Sequence, residues 1–206
     1  YYTGEPQRAG IVKNVRTEDN CEVTYNFGTR QGEETLTEVP EFTDAGTYTV
    51  YYKATAPNHI EKTGSFDVTI QNAKLKGVRV ESYNGTYDGL YHGITVECTG
   101  DAADAKVYYG DSADTCTSTV MPAYKDVSSH SFYYRVEKEN YDPVIGMRSI
   151  EITPAKLEVE AGGLEIAYGE VFPAESCGSV IYGFKNGENM EVLDGTLTYT
   201  SNYMVG

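Results

Sequence analysis

Hydrophobic and polar residues alternate with a period of two through much of this chain, as in β-strands with one buried face. In the segment 44–54, Tyr48, Val50 and Tyr52 share one face, while Thr47 and Tyr51 share the other. Thr, Val, Tyr and Gly are prominent along the chain, which suits half-buried strands joined by tight turns. The pattern predicts an all-β fold.

One strand carries a recognisable motif. The run Asp44-x-Gly46-x-Tyr48-x-Val50 resembles strand F of immunoglobulin folds, in which the Tyr forms the tyrosine corner and the residue two later points inward. We therefore expect Tyr48 and Val50 to face the core. The second copy of the motif has His130 in place of the Tyr, and the chain has no Trp, so the prediction is an Ig-like sandwich rather than an antibody domain.

The chain contains an internal repeat. Residues 40–75 align with residues 122–157 at a constant offset of 82 and without a gap, and ten of these 36 positions are identical. Further upstream, Val23-Thr24-Tyr25 matches Val107-Tyr108-Tyr109 after a small length change, and Tyr2-Thr3-Gly4 matches Tyr87-Asp88-Gly89. The repeat predicts tandem modules.

We place the module borders at the ends of the repeat. Residues 1–75 are predicted to be an Ig-like β-sandwich module that lacks its first strand, and residues 76–157 a complete one. Residues 158–206 are predicted to be the N-terminal half of a related β-module with different turns. The junctions contain no Gly/Ser linker, so the chain, an excised segment in this interpretation, is expected to be a semi-rigid, monomeric rod.

Charge and hydropathy exclude two kinds of partner. The net charge is −15, which disfavours binding to nucleic acid or to anionic lipid. No apolar run approaches the roughly 20 residues that a membrane-spanning helix needs, so no membrane insertion is expected in this segment.

Several short motifs resemble the Ig-like and MBG-type tandem repeats of surface adhesins from Gram-positive gut Firmicutes, and the resemblance covers essentially the whole chain. The motifs are Tyr87-Asp88-Gly89, Val107-Tyr108-Tyr109-Gly110, Ile152-Thr153-Pro154-Ala155-Lys156-Leu157 and Tyr182-Gly183-Phe184-Lys185-Asn186-Gly187-Glu188. The resemblance implies an extracellular protein, attached to the cell wall or secreted, and an MBG-type module at 158–206. Some members of this family bind mucin, and some bind antibody variable regions in a superantigen-like manner.

The sequence offers little for catalysis, metal binding or cofactors. It contains no nucleophile elbow, phosphate-binding glycine loop, paired His motif or calcium loop, so no enzyme activity, no metal and no cofactor is expected. Of the four cysteines, only Cys98 and Cys116 fall within one module, and a disulfide between them is possible in a secreted protein. The alternative is two buried or unpaired thiols. The modules that contain Cys21 and Cys177 contain no second cysteine with which either could form a disulfide.

A candidate binding face follows from strand parity in the second module. If Val107 and Tyr109 point inward, then Lys106 and Tyr108 point outward, and the same parity sends Tyr133 and Arg135 outward. Lys106 and Tyr108 would lie on strand C of an Ig sandwich, and Tyr133 and Arg135 on strand F. These two strands are neighbours, so the four residues are predicted to form one exposed patch. Tyr and Arg commonly anchor interfaces, although cross-strand Tyr pairs also stabilise sheets without any ligand.

Three functions remain open at this stage. The first is binding of a host protein, with antibody variable regions and mucin as candidates. The second is a purely structural stalk that projects a distal adhesive head, and the third is the accessory region of a carbohydrate-active enzyme. The alignment places Thr24 opposite Tyr108, so the two outer faces differ, which favours binding by the second module.

Overall fold

The protein is described by a computed structural model that covers residues 1–10, 21–170 and 178–195. The predicted all-β class is confirmed, and no α-helix occurs in these residues. The strands are β1 (Thr24–Gly28), β2 (Gly46–Thr55), β3 (Lys62–Ile70), β4 (Ala73–Lys74), β5 (Val78–Glu81), β6 (Tyr83–Thr86), β7 (Thr95–Cys98), β8 (Lys106–Gly110), β9 (Ser128–Glu137), β10 (Tyr141–Asp142), β11 (Val144–Thr153), β12 (Glu158–Ala161) and β13 (Ser179–Tyr182).

The described strands pair into several separate sheets. The first module contains an antiparallel sheet in the order β1-β2-β3. The second contains a four-stranded sheet in the order β6-β11-β9-β8, in which β6 runs parallel to β11, and a smaller sheet of β5 and β7. Two further pairs are β4 with β10, which is parallel, and β12 with β13, which is antiparallel.

The structural repeat extends further than the aligned sequence. Strands β1 and β8 have the same bounds at an offset of 82, as do β2 and β9, and the bridge Phe27–Leu36 corresponds to the bridge Tyr109–Ser118. The alignment of Val23-Thr24-Tyr25 with Val107-Tyr108-Tyr109 is therefore wrong by two residues. Thr24 corresponds to Lys106, and it is Asn26 that stands in the position of Tyr108.

The core of the first module begins from the strand F motif. Val50 is fully buried with Phe27 and Val39, as the inward parity of Val50 predicts. Each such side chain contributes about 1.5–3 kcal/mol when it leaves water. The hydroxyl of Tyr48 donates a hydrogen bond of 2.9 Å to the carbonyl oxygen of Asp44, so the predicted tyrosine corner is present.

His130 replaces the corner Tyr in the second module without removing the aromatic stack. In the first module the ring of Tyr48 stacks on Phe42 with centroids 4.1 Å apart. At the corresponding positions the ring of His130 stacks on Tyr124 at 3.7 Å. Both modules therefore keep a flat ring at this position, and in both the stack joins the start of the strand F motif to the segment before it.

A pair of glycines explains one identity of the repeat. Gly64 lies opposite Tyr52 in the β2–β3 register, and a Cβ at Gly64 would come within 2.6 Å of the Tyr52 hydroxyl. A Cβ at Gly146 would come within 2.4 Å of the Tyr134 hydroxyl. In both modules a Tyr ring therefore covers a strand glycine, and any side chain there would collide with the ring.

The chain divides into two compact units. Unit 1 contains Tyr1–Arg79, Glu97–Val107 and Arg135–Ile145, and unit 2 contains Val80–Val96, Tyr108–Tyr134 and the described part of Gly146–Gly206. Each unit thus groups one end of the predicted second module with the module next to it. The described residues include no helix with the length and apolarity to span a membrane.

Candidate binding face and module joints

The four residues of the predicted face lie on two neighbouring strands. Lys106 and Tyr108 are on β8, Tyr133 and Arg135 are on β9, and these strands are adjacent in the four-stranded sheet. Burial alternates along β9, where Tyr133 and Arg135 are half-buried between buried residues. On β8, Lys106 is exposed, whereas Tyr108 is half-buried like the residue before it. The well-buried set on β8 and β9 is Tyr109, Phe132, Tyr134 and Val136. The burial along β9 follows the predicted parity, whereas the burial along β8 does not distinguish the predicted inward and outward positions next to Lys106.

The positive charge of Arg135 is less available to a binding partner than the sequence indicates. The Nη2 of Arg135 lies 2.5 Å from the Oε1 of Glu137, so its positive charge is neutralised two residues away on the same strand. Its Nε is buried and makes no hydrogen bond within the described part of the chain, which is an unfavourable position for a donor. The exposed surface of Tyr108 and Tyr133 is therefore the chemically distinctive part of the predicted face.

The first module offers a natural comparison for these tyrosines. At the offset of 82, Asn26 corresponds to Tyr108 and Tyr51 corresponds to Tyr133. Lys53 corresponds to Arg135, so the two modules share the strand F half of the face and differ in the strand C half. The second module gains one large aromatic side chain where the first has a small amide.

The structure also shows two built joints, which sequence reasoning missed. In unit 1, the side chain of Asn140 accepts a hydrogen bond of 2.8 Å from the backbone N–H of Ala45 and donates one of 2.9 Å to Asp44. The backbone carbonyl of Asn140 also accepts a bond of 3.0 Å from the N–H of Ala73. One residue of the second module therefore bonds to two separate segments of the first.

Two further contacts complete this first joint. Asp142 accepts a bond of 2.6 Å from the Nζ of Lys74, its Cα partner in the parallel β4–β10 pair. The hydrogen bond from Lys74 lowers the pKa of the Asp142 carboxyl and raises that of the lysine. The ring of Tyr2 meets the ring of Tyr141 edge to face at 5.5 Å, beside an open cleft of about 450 Å³.

The second joint, in unit 2, uses the equivalent Tyr in a different way. The hydroxyl of Tyr87 donates a short hydrogen bond to the carboxylate of Glu188, and this bond raises the pKa of Tyr87 to about 12, with burial as the next cause. The side chain of Asn186 donates a bond of 2.9 Å to the carbonyl oxygen of Gly89. A Cβ at Gly183 would come within 2.3 Å of the carbonyl oxygen of Lys156. Glycine is therefore needed at this position, because the backbone of residue 183 lies too close to that of residue 156 for any side chain.

A small apolar cleft of about 210 Å³ lies at the second joint. Its walls include Val127, Leu157 and Phe184, with Tyr87 and Glu188 at the polar part. The repeated signals that mark both joints are Tyr-x-Gly at one end of a module and Ala-Lys-Leu at the other. Their repetition was visible in the sequence, but their role was not, because each joint connects segments that lie far apart along the chain.

A polar cluster around His92 lies in the second module. The Nε2 of His92 lies 2.8 Å from a carboxylate oxygen of Asp88 and 3.1 Å from the hydroxyl of Tyr83. The same Asp88 oxygen accepts the backbone N–H of Leu90, and these hydrogen bonds lower the pKa of the carboxyl. The cluster holds the Tyr-Asp-Gly turn. No group of three or more His, Cys, Asp or Glu side chains suited to a metal occurs within residues 1–10, 21–170 and 178–195.

The two cysteines proposed to form a disulfide have different surroundings. Cys98 is a half-buried thiol at the end of β7, and burial raises its pKa. Cys116 is buried, and its Sγ donates a hydrogen bond of 3.3 Å to the carbonyl oxygen of Ser112. The Cys98–Cys116 disulfide stays a prediction for the oxidised protein. Cys177 lies outside the described residues.

No protein-family model matches the chain, and no curated protein sequence matches it. Function is therefore inferred from the repeat, the joints and the two outer faces.

Proposed function

We propose that this chain is a non-enzymatic repeat region of an extracellular bacterial surface protein, and that its second module binds a host protein through Tyr108 and Tyr133. An antibody variable region or a mucin-type glycoprotein is the partner that the family resemblance implies. The joints set the modules in order, and the outer face of the second module supplies the contact.

The difference between the two outer faces carries this proposal. Some core and joint positions keep the same residue at the offset of 82, as Ile70 and Ile152 do in the core, whereas the strand C position changes from Asn26 to Tyr108. A module that served only as a spacer has no need of a half-exposed Tyr where its neighbour folds with Asn. Tyr supplies a large rigid contact area together with a hydroxyl, and it is enriched among the residues that dominate interfaces.

The test is a binding screen followed by a residue exchange. The chain is screened against immunoglobulins, Fab fragments and mucins, and the affinity for any partner is then measured for the double variant Tyr108→Asn, Tyr133→Ser. We expect a loss of about thirtyfold or more, since anchor residues contribute about 2 kcal/mol or above. The free energy of unfolding should change by no more than about 1 kcal/mol, because both side chains face outward.

Matched variants of the first module make the result specific. Tyr51→Ser removes the counterpart of Tyr133 and should leave binding unchanged, and Asn26→Tyr should give the first module part of the binding face. A folded Tyr108→Asn, Tyr133→Ser variant that binds with unchanged affinity would contradict the proposed face. Loss of affinity in Tyr51→Ser alone would assign the contact to the first module.

The second candidate function is a structural stalk that projects a distal head. It is favoured by the joints, because the repeated Tyr-x-Gly and Ala-Lys-Leu motifs are occupied by contacts between modules rather than presented to a ligand. Failure to capture any protein in the screen, together with intact folding, would support the stalk over the binding module.

A further inference from the structure

Three asparagines in the described part of the chain adopt a positive φ, and there is one in each module. They are Asn58 (62°), Asn140 (68°) and Asn186 (47°). Asparagine tolerates a positive φ better than most residues, but the conformation still costs free energy that other contacts must offset. For Asn140 and Asn186 the reason is visible, because each places its side-chain amide on the module before it. Asn58 corresponds to Asn140 at the offset of 82.

The loops that carry Asn58 and Asn140 differ in one respect. Both connect strands with matching bounds: β2 ends at residue 55 and β3 begins at 62, while β9 ends at 137 and β11 begins at 144. The loop of the second module forms β10 by pairing with β4. Its counterpart in the first module, His59–Ile60, forms no strand, and the side chain of Ile60 is 97% exposed.

We propose that the Asn58 loop, residues 56–61, is a docking surface for the end of another module of this kind. The occupant is an extended segment equivalent to Ala73–Leu75, which would pair in parallel with His59–Ile60 as β4 pairs with β10. The amide of Asn58 would bond to the Asp-Ala step of that module, as Asn140 bonds to Asp44 and Ala45. The inference rests on the geometry of the first joint and does not depend on the proposed host partner.

The same comparison defines the chemistry of the occupant. In the first joint an acidic residue, Asp142, faces Lys74. Ile60 stands in the place of that acid, so the new joint lacks the ion pair and presents apolar surface instead. An occupant with an apolar side chain, or with the methylene stem of a lysine, fits this position better than one with an acidic side chain.

A tandem extension tests the proposal. Tyr1–Thr86 is placed directly before Tyr2 of the full chain, which supplies the first module with a preceding module and with equivalents of β5 and β6. The native cysteines are replaced by Ser, and a new pair is introduced at Lys74 of the added copy and at Ile60. Lys74→Cys with Asp142→Cys in the unextended chain is the positive control, because these residues are Cα partners.

We expect the pair at Lys74 and Ile60 to form a disulfide at a rate comparable to the positive control. The negative control combines Lys74→Cys in the added copy with Gln31→Cys, on the turn after β1, and this pair should not form a disulfide. Absence of the Lys74–Ile60 crosslink under conditions in which the positive control crosslinks would overturn the proposal.

A second measurement needs no cysteine change. Asn58→Ala is compared in the extended and unextended chains, with Asn140→Ala as the reference. The cost of the positive φ is common to both chains, so only docking makes the two results differ. We expect Asn58→Ala to lower the unfolding midpoint of its module more in the extended chain than in the unextended chain, and in the extended chain by as much as Asn140→Ala does. Equal shifts in the two chains would refute the docking surface.

Discussion

At the scale of single residues, the repeat preserves side chains that touch each other across strands. Tyr52 with Gly64 and Tyr134 with Gly146 are the clearest case, because the ring of one residue occupies the space where the other would carry a side chain. Such identities are explained by packing, without a functional role for either residue.

The two glycines differ in how much their covering rings can move. Tyr134 is 6% exposed, and the guanidinium of Arg148 lies 5.6 Å from its ring centroid, whereas Tyr52 is only half-buried. We expect Gly146→Ala to lower the free energy of unfolding by about 1–3 kcal/mol, as forced overpacking does, and Gly64→Ala to cost less. Urea unfolding measures both.

Gly163→Ala is the control, because no heavy atom lies within 4 Å of the Cβ that it would gain. Its effect should stay within about 0.5 kcal/mol. A Gly146→Ala variant as stable as this control would show that the Tyr134 ring moves aside at no cost.

Tyr87 predicts a pH dependence at the second joint. Its pKa is about 12 in the folded chain, raised first by the hydrogen bond to Glu188, and about 10 when unfolded. A raised pKa stabilises the fold fully below pH 10 and loses that contribution as the pH rises towards 12. The stability difference between the native chain and Tyr87→Phe should therefore shrink between pH 9 and pH 11.5, measured by urea unfolding.

Tyr91→Phe serves as the matched control, since Tyr91 is an exposed Tyr of the same module. Its stability difference from the native chain should stay constant over this pH range. If the Tyr87→Phe difference is equally constant, the bond to Glu188 does not contribute to folding.

Local motifs were predictable from the sequence, and distant pairings were not. The orientation of Tyr48 and Val50 follows from a seven-residue motif and strand parity. The bond from Asn140 to Ala45 joins positions 95 residues apart, and nothing near either residue indicates the other. The two-residue error in aligning β1 arose because Val-x-Tyr recurs in both modules at the wrong register, and so short a match cannot fix a register.

At the scale of elements, strand bounds are more regular than sequence identity. Strands β1, β2 and β3 begin at the same positions as β8, β9 and β11 after the offset of 82, although most residues differ. The regularity follows from paired features: glycines where backbones or rings approach, and bulky side chains at alternate positions. The side chains on the outer faces make none of these paired contacts, so their identity can differ between modules without changing the strand bounds.

The loop after β8 gives a prediction about covalent structure. Thiol labelling under denaturing, non-reducing conditions should find Cys98 and Cys116 blocked if the protein oxidises in its compartment as expected. A bridge between them would tie the end of β7 to the turn that follows β8. Labelling of both residues would remove this bridge, and labelling of reduced protein provides the reference for complete reaction.

At the scale of the whole molecule, charge predicts behaviour in solution. The net charge of −15 produces repulsion between chains, and we expect a monomer in sedimentation equilibrium at low and at physiological salt. The expected result is one chain mass that does not change with concentration. A dimer that forms as salt is added would show that charge repulsion at low salt had prevented two chains from associating.

The placement of each joint's two halves has a consequence for how such proteins change length. A module presents Tyr-x-Gly and the start of strand F to its successor, together with Ala-Lys-Leu, and it presents the Asn loop to its predecessor. Recombination in register between repeats would therefore add or delete one whole module and still leave complementary halves at every boundary. Such an event would change the number of modules in a single step and leave the outer face of every remaining module as it was.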